Sequence, residues 1–344
     1  MLLGRRLQRT DCNSQGTNQY SPQLRYNLHS LYPKITSIEM AVCRILLIVL
    51  VIINVCISLY EVQGQEDCSH QGTTRGRRFA IAFTVNYEGV VNITELSISV
   101  VAFSNNPTTV TVSSKFQIDG IPFQETFEIQ PRGFHRVSVP SELILGPTYE
   151  RSNKVIELTA SSDVSVHGLN YAPFTTDAFL GIPVDHLGLN YVVMSYEESN
   201  QWPSLFAVVG VEDNTQVFAT LTGTVTFNGD TYASGDVLDF IVNKNEVVQI
   251  VSDRDFFGGS IIKSDKPVAF FSGDLCARTP GSTCDILSEQ IVPVRSWGTT
   301  HIYTATGSSR DSSIYAIYAY YEDTIVSVPG LNAITLQPGE NFKR

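Results

Sequence analysis

One stretch of this chain occurs twice and begins a third time. Residues 204–217 line up with residues 313–326 at a spacing of 109, and more loosely with residues 97–110. The turn Ile118-Asp119-Gly120 falls 109 residues before Phe227-Asn228-Gly229, and Gly181-Ile182-Pro183 falls 110 before Ile291-Val292-Pro293. A unit of about 110 residues is too long for a solenoid repeat and matches the size of one small domain with its own core. The 344-residue chain is therefore expected to be an array of modules. Extracellular arrays of this kind hold or bridge ligands more often than they catalyse.

Within the repeats no run keeps a helical apolar period. Short stretches rich in Val, Ile, Thr, Phe and Tyr recur instead, at 96–103, 110–118, 155–160, 164–167, 205–211, 217–221, 247–251, 268–272 and 314–321, each bounded by Asn, Asp, Gly, Pro or Ser. That spacing predicts an all-β fold of tandem β-sandwich modules. Asp119-Gly120 and Asn228-Gly229 supply the positive φ that a two-residue type I′ hairpin turn demands, and the third copy carries Pro329-Gly330 at the same place. The expected organisation is a first module over residues 78–196, a second over 197–306, and the start of a truncated third over 307–344, the chain being a piece of a longer protein.

The N-terminal part reads differently. Residues 45–59 form an apolar run behind Arg44, with Val62-Gln63-Gly64 after it as small residues flanking a cleavage point. Residues 40–64 are read as a signal peptide starting at Met40, residues 1–39 as a spurious or disordered N-terminal extension, and 65–77 as a leader. The alternative is a signal anchor that keeps residues 45–59 in the membrane, a short span for a crossing helix. Without residues 1–64 the chain keeps 17 basic and 31 acidic side chains, a net charge near −14. An acidic surface repels phosphate backbones, so nucleic acid is not an expected partner.

Cys276 and Cys284 flank a turn-forming loop and are expected to pair in an oxidising compartment, whereas Cys68 has no evident partner. Asn92-Ile93-Thr94 is an acceptor sequon for glycosylation. His70, His135, His167, His186 and His301 show no ligand spacing, and Glu212-Asp213-Asn214 lacks the further donors of a calcium loop. No nucleophile elbow or phosphate-binding glycine loop occurs. No catalytic residue, metal or cofactor is expected.

The segment Ser264-Asp265-Lys266-Pro267-Val268-Ala269-Phe270-Phe271-Ser272-Gly273, then Cys276, Cys284, Gln290-Ile291-Val292-Pro293 and Trp297-Gly298, resembles the N-terminal domain family of IgGFc-binding proteins. The resemblance runs from about residue 78 to the end. It implies a secreted or cell-surface protein, in a family with no catalytic residue set, and a mucus- or immune-associated binding role. Fc attachment itself has no short motif to place on these residues. Read by themselves, Ser264-Asp265-Lys266-Pro267 forms a tight turn into an apolar strand, and Trp297 a core aromatic.

The reading is thus a secreted binding or adhesion protein that recognises an immunoglobulin-like or mucin-like protein or glycoprotein through a multivalent β-module surface. The alternative is a membrane-tethered receptor or coat protein anchored by residues 45–59. A carbohydrate-active enzyme, with an acid pair far apart in sequence, ranks below both.

Overall fold

The computed structural model describes residues 74–86, 95–196, 202–278, 284–304 and 314–344. The stretch read as a signal peptide, Cys68 and the Asn92 sequon lie outside the described residues. Apart from three short 3-10 turns, every element among the described residues is a strand. The first copy contributes β1 (Gly76–Ile81), β2 (Glu95–Ala102), β3 (Thr108–Ile118), β4 (Ile121–Ile129), β5 (Phe134–Val139), β6 (Glu150–Ser152), β7 (Ile156–Ala172) and β8 (Thr175–Leu180). The second gives β9 (Gly188–Val192), β10 (Ser204–Gly210), β11 (Thr215–Thr220), β12 (Val225–Phe227), β13 (Asp230–Tyr232), β14 (Val237–Val242), β15 (Val247–Val251), β16 (Ile261–Ala277) and β17 (Asp285–Gln290). The third begins with β18 (Ala316–Tyr318), β19 (Thr324–Val326), β20 (Ile334–Leu336) and β21 (Asn341–Lys343). No helix among the described residues is long and apolar enough to cross a membrane.

The long strands β7 and β16 organise the two copies. The strand expectations at 155–160 and 164–167 belong to one 17-residue strand, β7. Its first half lies between β1 and β3, with Ile156 opposite Ile81 and Ser114. From Val164 onward it lies between β2 and β8. One strand therefore changes partners midway within a single seven-stranded sheet, and the curl between its halves folds that sheet over on itself, as at the corners of a sandwich. The strand β16 repeats the arrangement 105 residues later: Ile261–Ser264 runs between β9 and β11, and Val268–Asp274 between β10 and β17. Path orders match as well, β4-β3-β7-β2-β5 against β14-β11-β16-β10-β15.

The change of partners in β16 falls at Asp265-Lys266-Pro267, where pairing with β9 jumps from Lys263–Asn190 to Val268–Gly188. This is a correction to the tight-turn expectation: the segment stays inside the strand, as a bulge. Proline has no N–H to give a ladder, so it fits where the strand leaves one set of partners. The fully buried Tyr191 bridges the gap. Its hydroxyl accepts the Gly188 N–H at 2.8 Å and donates to the Val268 carbonyl at 2.7 Å. Burial pushes the phenol pKa far above its ordinary value.

Buried side chains form two large clusters and a small one. The first holds Phe79, Phe83, Ile98, Val110, Leu158 and Phe179 of the first copy together with Ala207, Val209, Val247, Ala269 and Phe271 of the second. The second holds the opposite face of that same sheet, Phe206, Val208, Val248, Ile250 and Phe270, with Tyr191, Val217 and Phe240. The sheet of β10, β15 and β16 is thus covered on both sides, and all seven residues of β10 are buried. Each large apolar side chain so placed contributes about 1.5–3 kcal/mol of transfer free energy. The copies also share a sheet through one strand: β6 of the first pairs with β15 of the second.

The third copy reproduces a detail of the second. Gly210 N–H donates to Glu246 O, Asn245 N–H to Gly210 O, and Glu246 N–H to Asn243 O; 94 residues after the loop members, Ala319, Gly339, Glu340 and Gln337 make the same three bonds. The turn needs a left-handed residue, supplied by Asn245 (φ 64°) and Gly339 (φ 83°). The type I′ expectation is met at Asp119-Gly120 (φ 51°, 79°) and Asn228-Gly229 (φ 52°, 92°).

Candidate binding surface at the paired hairpin tips

The strands β7 and β8 are joined by two residues, Pro173 and Phe174, with Ala172 paired to Thr175. Proline presets the first corner of such a turn; the second corner needs positive φ and favours glycine. Here that corner is Phe174, at φ 72°, and its side chain is 100% exposed. A bulky residue in the left-handed region costs about 1–2 kcal/mol. Exposing a phenylalanine gains nothing for folding, so the ring is held outward against both backbone and solvent preference. Tyr171, 44% exposed, stands beside it on β7.

The equivalent tip of the second copy joins β16 to β17, with Ala277 opposite Asp285. It is closed by the disulfide Cys276–Cys284, with α-carbons 5.2 Å apart. The strands behind the two turns, β8 and β17, lie side by side. Thr176 N–H donates to Asp285 Oδ1 at 2.7 Å, Ser288 N–H to Asp177 Oδ2 at 2.8 Å, and Leu180 N–H to Glu289 Oε1 at 3.3 Å. Ile182 N–H donates to Gln290 Oε1 at 2.9 Å, and Ile286 N–H to Thr175 Oγ1 at 3.1 Å. Underneath, Gly168 leaves room for the Phe179 ring and Gly273 for the close approach of the Leu287 carbonyl.

Below the tips a buried polar network ties both copies to the segment 82–86. Asn86 Nδ2 donates to Asn170 Oδ1 at 3.0 Å, Thr175 Oγ1 to Asn86 Oδ1 at 3.0 Å, and Asn170 Nδ2 to the Thr84 carbonyl at 3.0 Å. The hydroxyls of Thr84 and Ser288 share a bond of 2.7 Å, and Val85 N–H donates to Gln249 Oε1 at 3.2 Å. Such a network, with its members satisfied, fixes one geometry. Burial pushes the Glu289 carboxyl up to about 7, opposed by the Leu180 N–H and reinforced by the charge of Asp177. Asp177 is raised for the same first reason, against the Ser288 and Ala178 N–H groups.

The histidines named from sequence do not converge. His135 lies 3.5 Å from Glu125, His167 touches Ser165, and His301 contacts the Gly298 carbonyl. No group of three metal-ligating side chains occurs among the described residues. The loop Glu212-Asp213-Asn214 is a turn whose carbonyls hold the ammonium of Lys266, at Asp213 O and at Asn214 O. Trp297 is half-buried rather than a core residue, its indole N–H donating to Val292 O at 3.0 Å. An open cleft of about 440 Å³ lies among Arg151, Gln216, Phe227, Asp239 and Asn243. Its polar groups are already engaged: Arg151 with Ile241 O and Glu246, and Asn243 Oδ1 with Asn214 N–H.

Phe174 was absent from the sequence expectations. Its signal was a Pro-Phe pair separating two β-rich runs by two residues, where Pro-Gly is the ordinary solution.

Taken together, these features define an all-β protein of repeated copies with an exposed phenylalanine on a two-residue turn. Residues 177–343 match the family model described as "IgGFc binding protein". A human protein described as "IgGFc-binding protein" is 29% identical over 236 residues, covering 68% of this chain and 4% of the relative's length. The likeness read from residues 264–298 to the IgGFc-binding family therefore holds, over a tract that begins in β8 at the shared seam and ends in β21.

Proposed function

We propose that this chain is an exported binding protein that captures an extracellular protein or glycoprotein, immunoglobulin-like or mucin-like, through its paired hairpin tips. The observation that carries this reading is Phe174, fully exposed at positive φ on a two-residue turn. Rigid aromatic anchors dominate protein recognition because their area is large and little conformational freedom remains to be lost. The neighbouring disulfide hairpin and the side-chain bonds beneath both tips hold the anchor in place before a ligand arrives. Repetition of the module in a longer array would add avidity. Family likeness, which names a binding activity in the human relative, supports the same class.

The test is retention of the chain on immobilised human IgG Fc and on purified mucin. Wild type should bind at least one at micromolar concentration, and Phe174→Gly should weaken that binding about thirty-fold, the loss of one anchor of about 2 kcal/mol. Failure of the wild type to bind either, or equal binding by the variant, would remove the tips from the function.

A further inference from the structure

We propose that the carboxylates along β8 and β17 form a proton-dependent clamp, holding the Phe174 hairpin firmly beside the disulfide hairpin in acidic surroundings and loosening it as the medium approaches neutrality. The proposal rests on the reading of the tips as the binding surface.

Its basis is geometric. Among the described residues β8 and β17 share no backbone ladder. Every hydrogen bond noted between them runs from a backbone N–H of one to a side chain of the other, and three of the acceptors are the carboxylates Asp177, Asp285 and Glu289. The seam is thus as strong as those carboxyl groups allow. Asp177 reaches across it to β17 and Glu289 reaches back to β8, and neither is ion-paired to a lysine or arginine among the described residues.

The other groups packed there do not compensate. On its own strand Glu289 is followed towards the tip by Asp285, a further negative charge. From β16 its paired neighbour is Ser272, and the segment 82–86 brings only the neutral Thr84 and Asn86. From β7 the titratable His167 stands opposite Leu180 in the ladder and Tyr171 opposite Thr176. A protonated Glu289 keeps a carbonyl oxygen to accept the Leu180 N–H and carries no charge. An ionised one sets a second negative charge beside Asp177 in a poorly hydrated seam.

The sign follows from linkage. Glu289 titrates near 7 in the folded chain, against 4.5 for the free carboxyl. Between those values the folded chain holds a proton that the unfolded chain lacks. The stabilisation is complete below the free value and is lost as pH rises through 7.

The decisive measurement is amide hydrogen exchange at Leu180 and Ser288, corrected for intrinsic rates, between about pH 5.5 and 8.5. In the wild type protection should fall by up to about tenfold per pH unit between pH 5.5 and about 7, one proton's worth, and level off above it. Glu289→Gln, which keeps the acceptor oxygen and cannot ionise, should flatten that dependence, and Asp177→Asn should make it level off at a lower pH. Flat protection in the wild type, or an unchanged slope in Glu289→Gln, overturns the clamp. Retention on human IgG Fc at pH 6 and pH 8 is a separate arm. Titrating protection without Fc capture at either pH leaves the clamp standing and counts against the tips as an Fc surface.

Discussion

Phe179 of β8 meets Phe271 of β16 edge-on, with ring centroids 5.3 Å apart, so the last strand of the first copy and the central strand of the second share one aromatic contact. Both rings are buried in the first core cluster. A large-to-small change here removes packing from both copies at once. Phe179→Ala should lower stability by about 3–5 kcal/mol. Residues 74–296 should still unfold in one calorimetric transition. Two separate transitions would mean that the copies fold as independent units.

The turn at Phe174 predicts an opposite pair of effects from one substitution. Glycine at this position relieves about 1–2 kcal/mol of backbone strain and adds back about 0.5–1 kcal/mol of unfolded-chain entropy. Phe174→Gly should therefore leave the denaturation midpoint unchanged or slightly raised while binding falls. A marked loss of stability in urea titration would show that the ring supports the fold instead.

Tyr191 predicts the energetic weight of the β16 bulge. Removing its hydroxyl leaves the Gly188 N–H and the Val268 carbonyl without partners in a fully buried place. Tyr191→Phe should cost about 1–3 kcal/mol, read from chemical denaturation. No loss would mean that the ladder gap closes by itself.

The disulfide predicts a local contribution. Its ends are eight residues apart, so the chain-entropy cost of opening it is about 2–3 kcal/mol. The Cys276→Ser, Cys284→Ser double variant should lose that much stability and should raise exchange at Ile286 before exchange in β10. Uniform loss across both strands would place the disulfide in the global core rather than at the tip.

Much of the architecture was legible in the residues. The type I′ turns at Asp119-Gly120 and Asn228-Gly229 were, because only a few side chains tolerate positive φ. The repeat was legible because equivalent strands need equivalent apolar positions. The joining of 155–160 and 164–167 into β7 was not, since Ser161-Ser162-Asp163 reads as a turn by composition. Nor was Pro267 inside β16. Both are places where a strand changes partners, and local propensity carries no record of which neighbour comes next. Phe174 was overlooked because exposure depends on what the rest of the chain covers.

The sequence alone determined that the chain is built of repeated strands with specific turns, since alternation, β-branched content and left-handed turn residues are local properties. Only the tertiary structure decided that the copies share a sheet, that β10 is buried on both faces, and that Asp177 and Glu289 stand together beneath an exposed phenylalanine. Those facts depend on burial and on contacts between residues about a hundred positions apart, where solvent exclusion rather than local preference sets the free energy.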